Sequence, residues 1–127
     1  MTCKPRVLFV CKQRSIYDGS CRTYINFGLL NSARFAANAL SAMFRYETKV
    51  VEVPNNNCIE REVVNFSPTH VIIEAFWVVP DKIDLLVNRY KSIEWTVRLH
   101  SKIPFLANEG IAISWLHEYN NIAIYNE

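Results

Sequence analysis

Glycine is scarce here, at three residues in 127. The sequence holds no G-x-G-x-x-G turn and no G-x-x-x-x-G-K-[ST] loop, which disfavours dinucleotide binding and P-loop nucleotide binding of the usual kind. Cysteine spacing is equally uninformative for metal. Cys3, Cys11, Cys21 and Cys58 form no C-x-x-C pair, and no histidine pair completes a site, so neither a metal nor a cofactor is expected. The start, Met1-Thr-Cys-Lys-Pro-Arg6, lacks the pattern of a secretory leader. The thiols are therefore read as reduced and the chain as cytoplasmic. No apolar run approaches the ~18 residues of a membrane span, so no membrane partner is expected. Repeats and linker-like stretches are absent, and one domain over residues 1–127 follows.

What is present is a globular composition, half apolar and one-fifth charged. The net charge of +2 hides an asymmetry. Residues 1–50 carry eight cations (Lys4, Arg6, Lys12, Arg14, Arg22, Arg34, Arg45, Lys49) against Asp18 and Glu47, whereas residues 51–127 carry six cations against ten acids. A basic first third suits an anionic small molecule. Without consecutive basic residues, nucleic acid is a disfavoured partner, though not an excluded one.

Hydrophobic periodicity predicts five strands and four helices. The strands are Arg6–Cys11, Lys49–Val53, His70–Val79, Trp95–His100 and Ile122–Tyr125. A long polar stretch from Lys12 to about Phe27 follows the first strand, with Asp18-Gly19-Ser20 as its turn signal. Asn31 or Ser32 is expected to cap a helix whose inner face is Leu29, Ala33, Ala36, Ala37, Leu40 and Phe44. Asn57 is expected to cap a second helix carrying Ile59, Val63 and Phe66, broken by Ser67-Pro68. Pro80-Asp81 opens a third, with Ile83, Leu86, Val87 and Tyr90 at helical spacing, and Gly110 to about Tyr119 forms the fourth.

Strands alternating with helices imply a three-layer α/β domain, Rossmann-like or flavodoxin-like, with a parallel sheet covered on both faces. Two strand orders fit, 2-1-3-4-5 and 3-2-1-4-5; the apolarity of the third strand favours the first, which makes that strand central. Period-two alternation then puts Ile72, Glu74 and Phe76 on one face, beside Thr96, Arg98 and His100 on the neighbouring strand. Glu74 and Arg98 are the only charges inside these two apolar strands, and they are predicted to pair.

Ligands of open parallel sheets sit beyond the carboxyl ends of the strands. The groups expected there are Lys12, Gln13 and Arg14, then Glu74, Phe76 and Trp77, then His100 and Ser101. Asn31 and Ser32 are expected there at a helix start, and Glu109 at the start of the last helix. Phe76 and Trp77 would wall a base or sugar ring, or else pack in the core. His100 is the candidate catalytic base. The opening strand and Cys11 resemble the start of low-molecular-weight tyrosine phosphatases, but Tyr17 stands where that chemistry needs an arginine. Ser32 and Ser101 build no nucleophile elbow with His70, His100 or His117.

Several stretches together resemble the N-terminal Rossmann-like domain of GT-B glycosyltransferases, especially glycosyltransferase-like proteins of tailed bacteriophages. They are Pro5-Arg-Val-Leu-Phe-Val10, Gly28-Leu-Leu-Asn-Ser-Ala33, Ser67-Pro-Thr-His-Val-Ile-Ile-Glu-Ala-Phe-Trp77, Val97-Arg-Leu-His-Ser101 and Pro104-Phe-Leu-Ala-Asn-Glu-Gly-Ile-Ala112. The resemblance implies an acceptor-holding domain whose cleft is lined by the Lys12 to Asn31 stretch and by His100. A donor-binding domain is not expected within residues 1–127. The resemblance therefore implies a phage-type binding or interference protein, acting in a host cytoplasm. Its ligand would be a nucleotide, a sugar or another small anion, or else a host protein. The alternative is the acceptor half of a split glycosyltransferase, working with a separate donor-domain protein. Self-association through an exposed edge strand is a further expectation.

Overall fold

The computed structural model describes residues 4–13, 27–75, 77–99 and 123–126. It is an α/β structure built on a parallel sheet. In chain order the elements are β1 (Arg6–Lys12), α1 (Phe27–Phe44), β2 (Glu47–Val53), α2 (Ile59–Phe66), β3 (His70–Glu74), α3 (Pro80–Arg89), β4 (Glu94–Leu99) and β5 (Ala123–Asn126). β1 pairs with β2 on one side and β3 on the other, β4 lies beside β3, and β5 runs along β4, all in parallel.

β1 explains the layering. Val7 to Cys11 are all buried, as a strand covered on both faces requires. Val7, Phe9 and Cys11 pack with Leu30, Ala33 and Ala37 of α1. Leu8 and Val10 point the other way, into a larger core with Ile59 and Val63 of α2 and Ile83 and Leu86 of α3. Each such aliphatic side chain contributes about 1.5–3 kcal/mol by burial. The two alanines let α1 lie close to the sheet. The same alternation places Val71, Ile73, Trp95 and Val97 in the α2/α3 core, so Glu74 and Arg98 fall on the α1 side.

At the amino edge Arg6 fastens α2 to the sheet. Its Nε and Nη2 donate to the Phe66 carbonyl at 3.1 and 2.8 Å, satisfying a free carbonyl at the helix end. The guanidinium lies 4.4 Å from the Phe66 ring centroid and also pairs with Glu47. Between α2 and α3, Arg89 and the Tyr90 hydroxyl both donate to the Glu60 carboxylate.

Several local expectations are corrected. α1 begins at Phe27, so Asn31 and Ser32 lie inside the helix and do not cap it. The capping asparagine before α2 is Asn55: its side chain accepts from the Asn57 backbone N–H at 2.9 Å and closes a short 3-10 turn over Asn56–Cys58. β3 stops at Glu74, not Val79. Ala75 then takes a left-handed φ of 73°, which turns the chain off the ladder. Val78 fills the core beneath α3 instead, and Val79 precedes Pro80, the first residue of α3. Burial without strand pairing accounts for the apolar run being longer than the strand. The expected helix from Gly110 to about Tyr119 lies outside the described residues.

Candidate functional site

The carboxyl ends of β1, β3 and β4 converge on one buried ion pair. Register alignment sets Glu74 opposite Arg98. Glu74 is fully buried and the Arg98 side chain is 19% exposed. The contact is bidentate: Arg98 Nε donates to Glu74 Oε2 at 2.9 Å and Nη2 donates to Oε1 at 2.7 Å. Two parallel charge-assisted bonds fix the plane of the guanidinium as well as its position. Nη2 also donates to Ser32 Oγ of α1 at 3.2 Å, so the helix layer holds the same group. Among the described residues no hydrogen bond engages Arg98 Nη1.

Cys11 ends the buried part of β1 in this neighbourhood. Burial, then the negative charges of Glu74 and Glu52, push its thiol from 9.0 to about 12, with Arg98 and Arg34 opposing. The thiol stays protonated at neutral pH and is a packing group rather than a nucleophile. The charge of Arg34, on α1, thus acts on the same thiol as the pair does. Arg34 and Lys12 are exposed, and among the described residues neither makes an ion pair.

The sequence-predicted residues distribute as follows. Glu74 and Ser32 meet at Arg98. Lys12 and Gln13 are exposed where β1 ends, and the Gln13 backbone N–H donates to the Val53 carbonyl at 2.8 Å, which anchors that exit. Asn31 is exposed on the first turns of α1. Trp77 is half-buried and packs against the α2/α3 core, with its indole N–H buried and unpaired. Arg14, Phe76, His100, Ser101 and Glu109 lie outside the described residues.

Two groups were missed as site residues. Arg98 was legible as a partner of Glu74, and its location at the carboxyl end of β4 was the available signal for more. Arg34 gave no signal, because only the lie of α1 over β1 brings it near Cys11. Among the described residues, no cluster of three or more His, Cys, Asp or Glu side chains could hold a metal ion. Nor does any described helix have the length and apolarity to cross a membrane. No protein-family model, no curated protein and no solved structure matches this chain.

Proposed function

We propose that this chain is a binding domain that takes a small anionic, nucleotide-like molecule at the carboxyl edge of its sheet. The observation that carries the proposal is Arg98: Glu74 and Ser32 hold it in one orientation, while among the described residues no hydrogen bond engages its Nη1. A guanidinium fixed in this way presents two N–H donors to a phosphate or carboxylate oxygen without ordering cost at the moment of binding. Because Glu74 already offsets the charge of Arg98, attraction at longer range falls to Lys12 and Arg34.

The proposal includes the topology: a five-stranded, doubly wound, flavodoxin-like layout in the order 2-1-3-4-5. In such a layout the strand order reverses between β1 and β3, and that crevice is where open α/β sheets take ligands. The resemblance to the acceptor-holding domain of GT-B glycosyltransferases points to the same edge, and the cations there make phosphates and nucleotides the natural probes. A domain of this kind sequesters its ligand rather than transforming it.

Isothermal titration calorimetry against inorganic phosphate, nucleoside mono- and diphosphates and a nucleotide-sugar tests the proposal. At least one probe is expected to bind, with affinity falling as salt rises. Lys12→Ala and Arg34→Ala, both at exposed positions, are expected to weaken it severalfold. Arg98→Lys keeps the charge but loses the fork geometry and is expected to weaken it by about tenfold or more. A silent panel, or binding indifferent to all three substitutions, would overturn the proposal.

A further inference from the structure

At the amino edge of the sheet, opposite to the edge of the Glu74–Arg98 pair, a hydroxyl, an imidazole and a carboxylate stand in a chain. Thr69 Oγ1 lies 2.7 Å from His70 Nδ1, and His70 Nε2 lies 3.4 Å from Glu94 Oε2. Parallel register sets His70 opposite Glu94, so both side chains leave the sheet on one face. Thr69 is held from both sides. Its N–H donates to the Arg6 carbonyl at 2.8 Å, and its own carbonyl accepts from the Glu94 N–H at 3.0 Å. The hydroxyl is thus positioned before any ligand arrives.

The partners also fix where the protons lie. A carboxylate only accepts, so Nε2 carries the ring proton toward Glu94 and Nδ1 keeps a lone pair. The Thr69 hydroxyl has two acceptors in reach, Nδ1 at 2.7 Å and the Arg6 carbonyl at 3.2 Å. That carbonyl already accepts from the Thr69 N–H, and the shorter contact takes the proton. Oγ1 accepts from the Arg6 N–H at 2.9 Å through one lone pair and keeps the other.

We propose that Thr69 is a self-acylation site. Its hydroxyl is a nucleophile toward activated acyl groups, aryl esters or thioesters, with His70 as general base and Glu94 positioning the ring. A nucleophile in hydrogen-bond reach of a base that a third group orients is the constellation this chemistry requires. Oγ1 forms a bond to the acyl carbonyl carbon as its proton passes to Nδ1, and the Glu94 carboxylate stabilises the imidazolium. The tetrahedral adduct then breaks its bond to the aryloxide or thiolate, which takes the proton from Nδ1 and departs as a phenol or thiol. The network holds no spare N–H for the oxyanion, because the Arg6 N–H is directed at Oγ1 itself. The acyl group must therefore be activated, and the ester accumulates on Thr69 rather than turning over. The His70 and Glu94 side chains are 40% and 79% exposed, which leaves the chain of groups open to a reagent.

Incubation of the full chain with p-nitrophenyl acetate, followed by intact mass and peptide mapping, tests the proposal. A single acetyl group is expected on Thr69, with p-nitrophenolate released in step. His70→Ala is expected to slow acetylation of Thr69 at least about a hundredfold, and Thr69→Ser to retain it. Glu94→Ala is expected to slow it severalfold and to move the His70 ring-nitrogen resonances from one tautomer toward a mixture, which a merely structural role would not do. Neither side chain is buried, so circular dichroism is expected to be unchanged in both alanine variants. Acetyl on lysines or the amino terminus but not on Thr69 overturns the proposal. So does Thr69 acetylation that proceeds at the parent rate in His70→Ala.

Discussion

Replacing Glu74 by alanine removes both acceptors of a guanidinium that is four-fifths buried. Among the described residues, Nε then loses its partner and Nη2 keeps only Ser32. Breaking one side of a buried pair costs about 3–5 kcal/mol. Against a total stability of about 5–15 kcal/mol, that is between about a fifth and all of it. At ~3–5 °C per kcal/mol for a domain of this size, the melting temperature is expected to fall by about 9–25 °C. Replacing both residues with apolar ones, Glu74→Leu with Arg98→Met, leaves no orphaned charge and is expected to cost less than either single change to alanine. Urea denaturation of the parent, Glu74→Leu, Arg98→Met and the double variant forms a complete cycle, with a coupling of about 2 kcal/mol or more expected. Additive effects, or a Glu74→Ala cost below about 1 kcal/mol, would refute a stabilising role for the pair.

The pH and backbone features make separate predictions. Cys11 ionises near 9.0 in the unfolded chain but near 12 in the fold. The unfolded state therefore loses its proton first, and stability is expected to fall as pH rises from 9.0 toward 12. Urea midpoints between about pH 8 and pH 10.5 should show that decline, and Cys11→Ala should flatten it. Hydrogen bonds from Arg89 and then Tyr90 hold the Glu60 carboxyl below its usual 4.5. Its contribution is present above that value and lost as pH falls through the lower, folded one, so Glu60→Gln should flatten the acid limb of the stability profile. Ala75 occupies a left-handed conformation that carries a penalty for any residue with a Cβ. Ala75→Gly is expected to raise stability by up to about 1 kcal/mol in the same urea assay, against the usual direction for that substitution.

The Glu74–Arg98 pair shows how far local pattern reaches. Apart from the exposed Glu94 that opens β4, these are the only charges in the two strands, they share a strand parity, and the strands are neighbours. An unpaired charge there would be too costly to keep, so the contact was legible before any coordinates. The third member, Ser32, meets Arg98 from the helix layer. It was expected at a helix start and instead sits inside α1, reaching Arg98 across the layer. The extent of β3 was misjudged because apolar character reports burial, and residues such as Val78 are buried without joining a strand. Asn55 and Asn57 are chemically identical caps two residues apart, and only the turn geometry chose between them.

The sequence by itself determined the alternation of parallel strands with helices, the face that Ile72 and Glu74 share and the one that Thr96 and Arg98 share, and the pairing of its two interior charges. Periodicity and the cost of an unpaired charge act along a few residues at a time, so they can be read from the chain. Only the tertiary structure decided that Ser32 joins Arg98, that the charge of Arg34 acts on Cys11, and that the chain leaves the sheet at Ala75. Each of these depends on how a helix settles across strands distant in sequence, and that docking is fixed by side-chain volumes on both surfaces together.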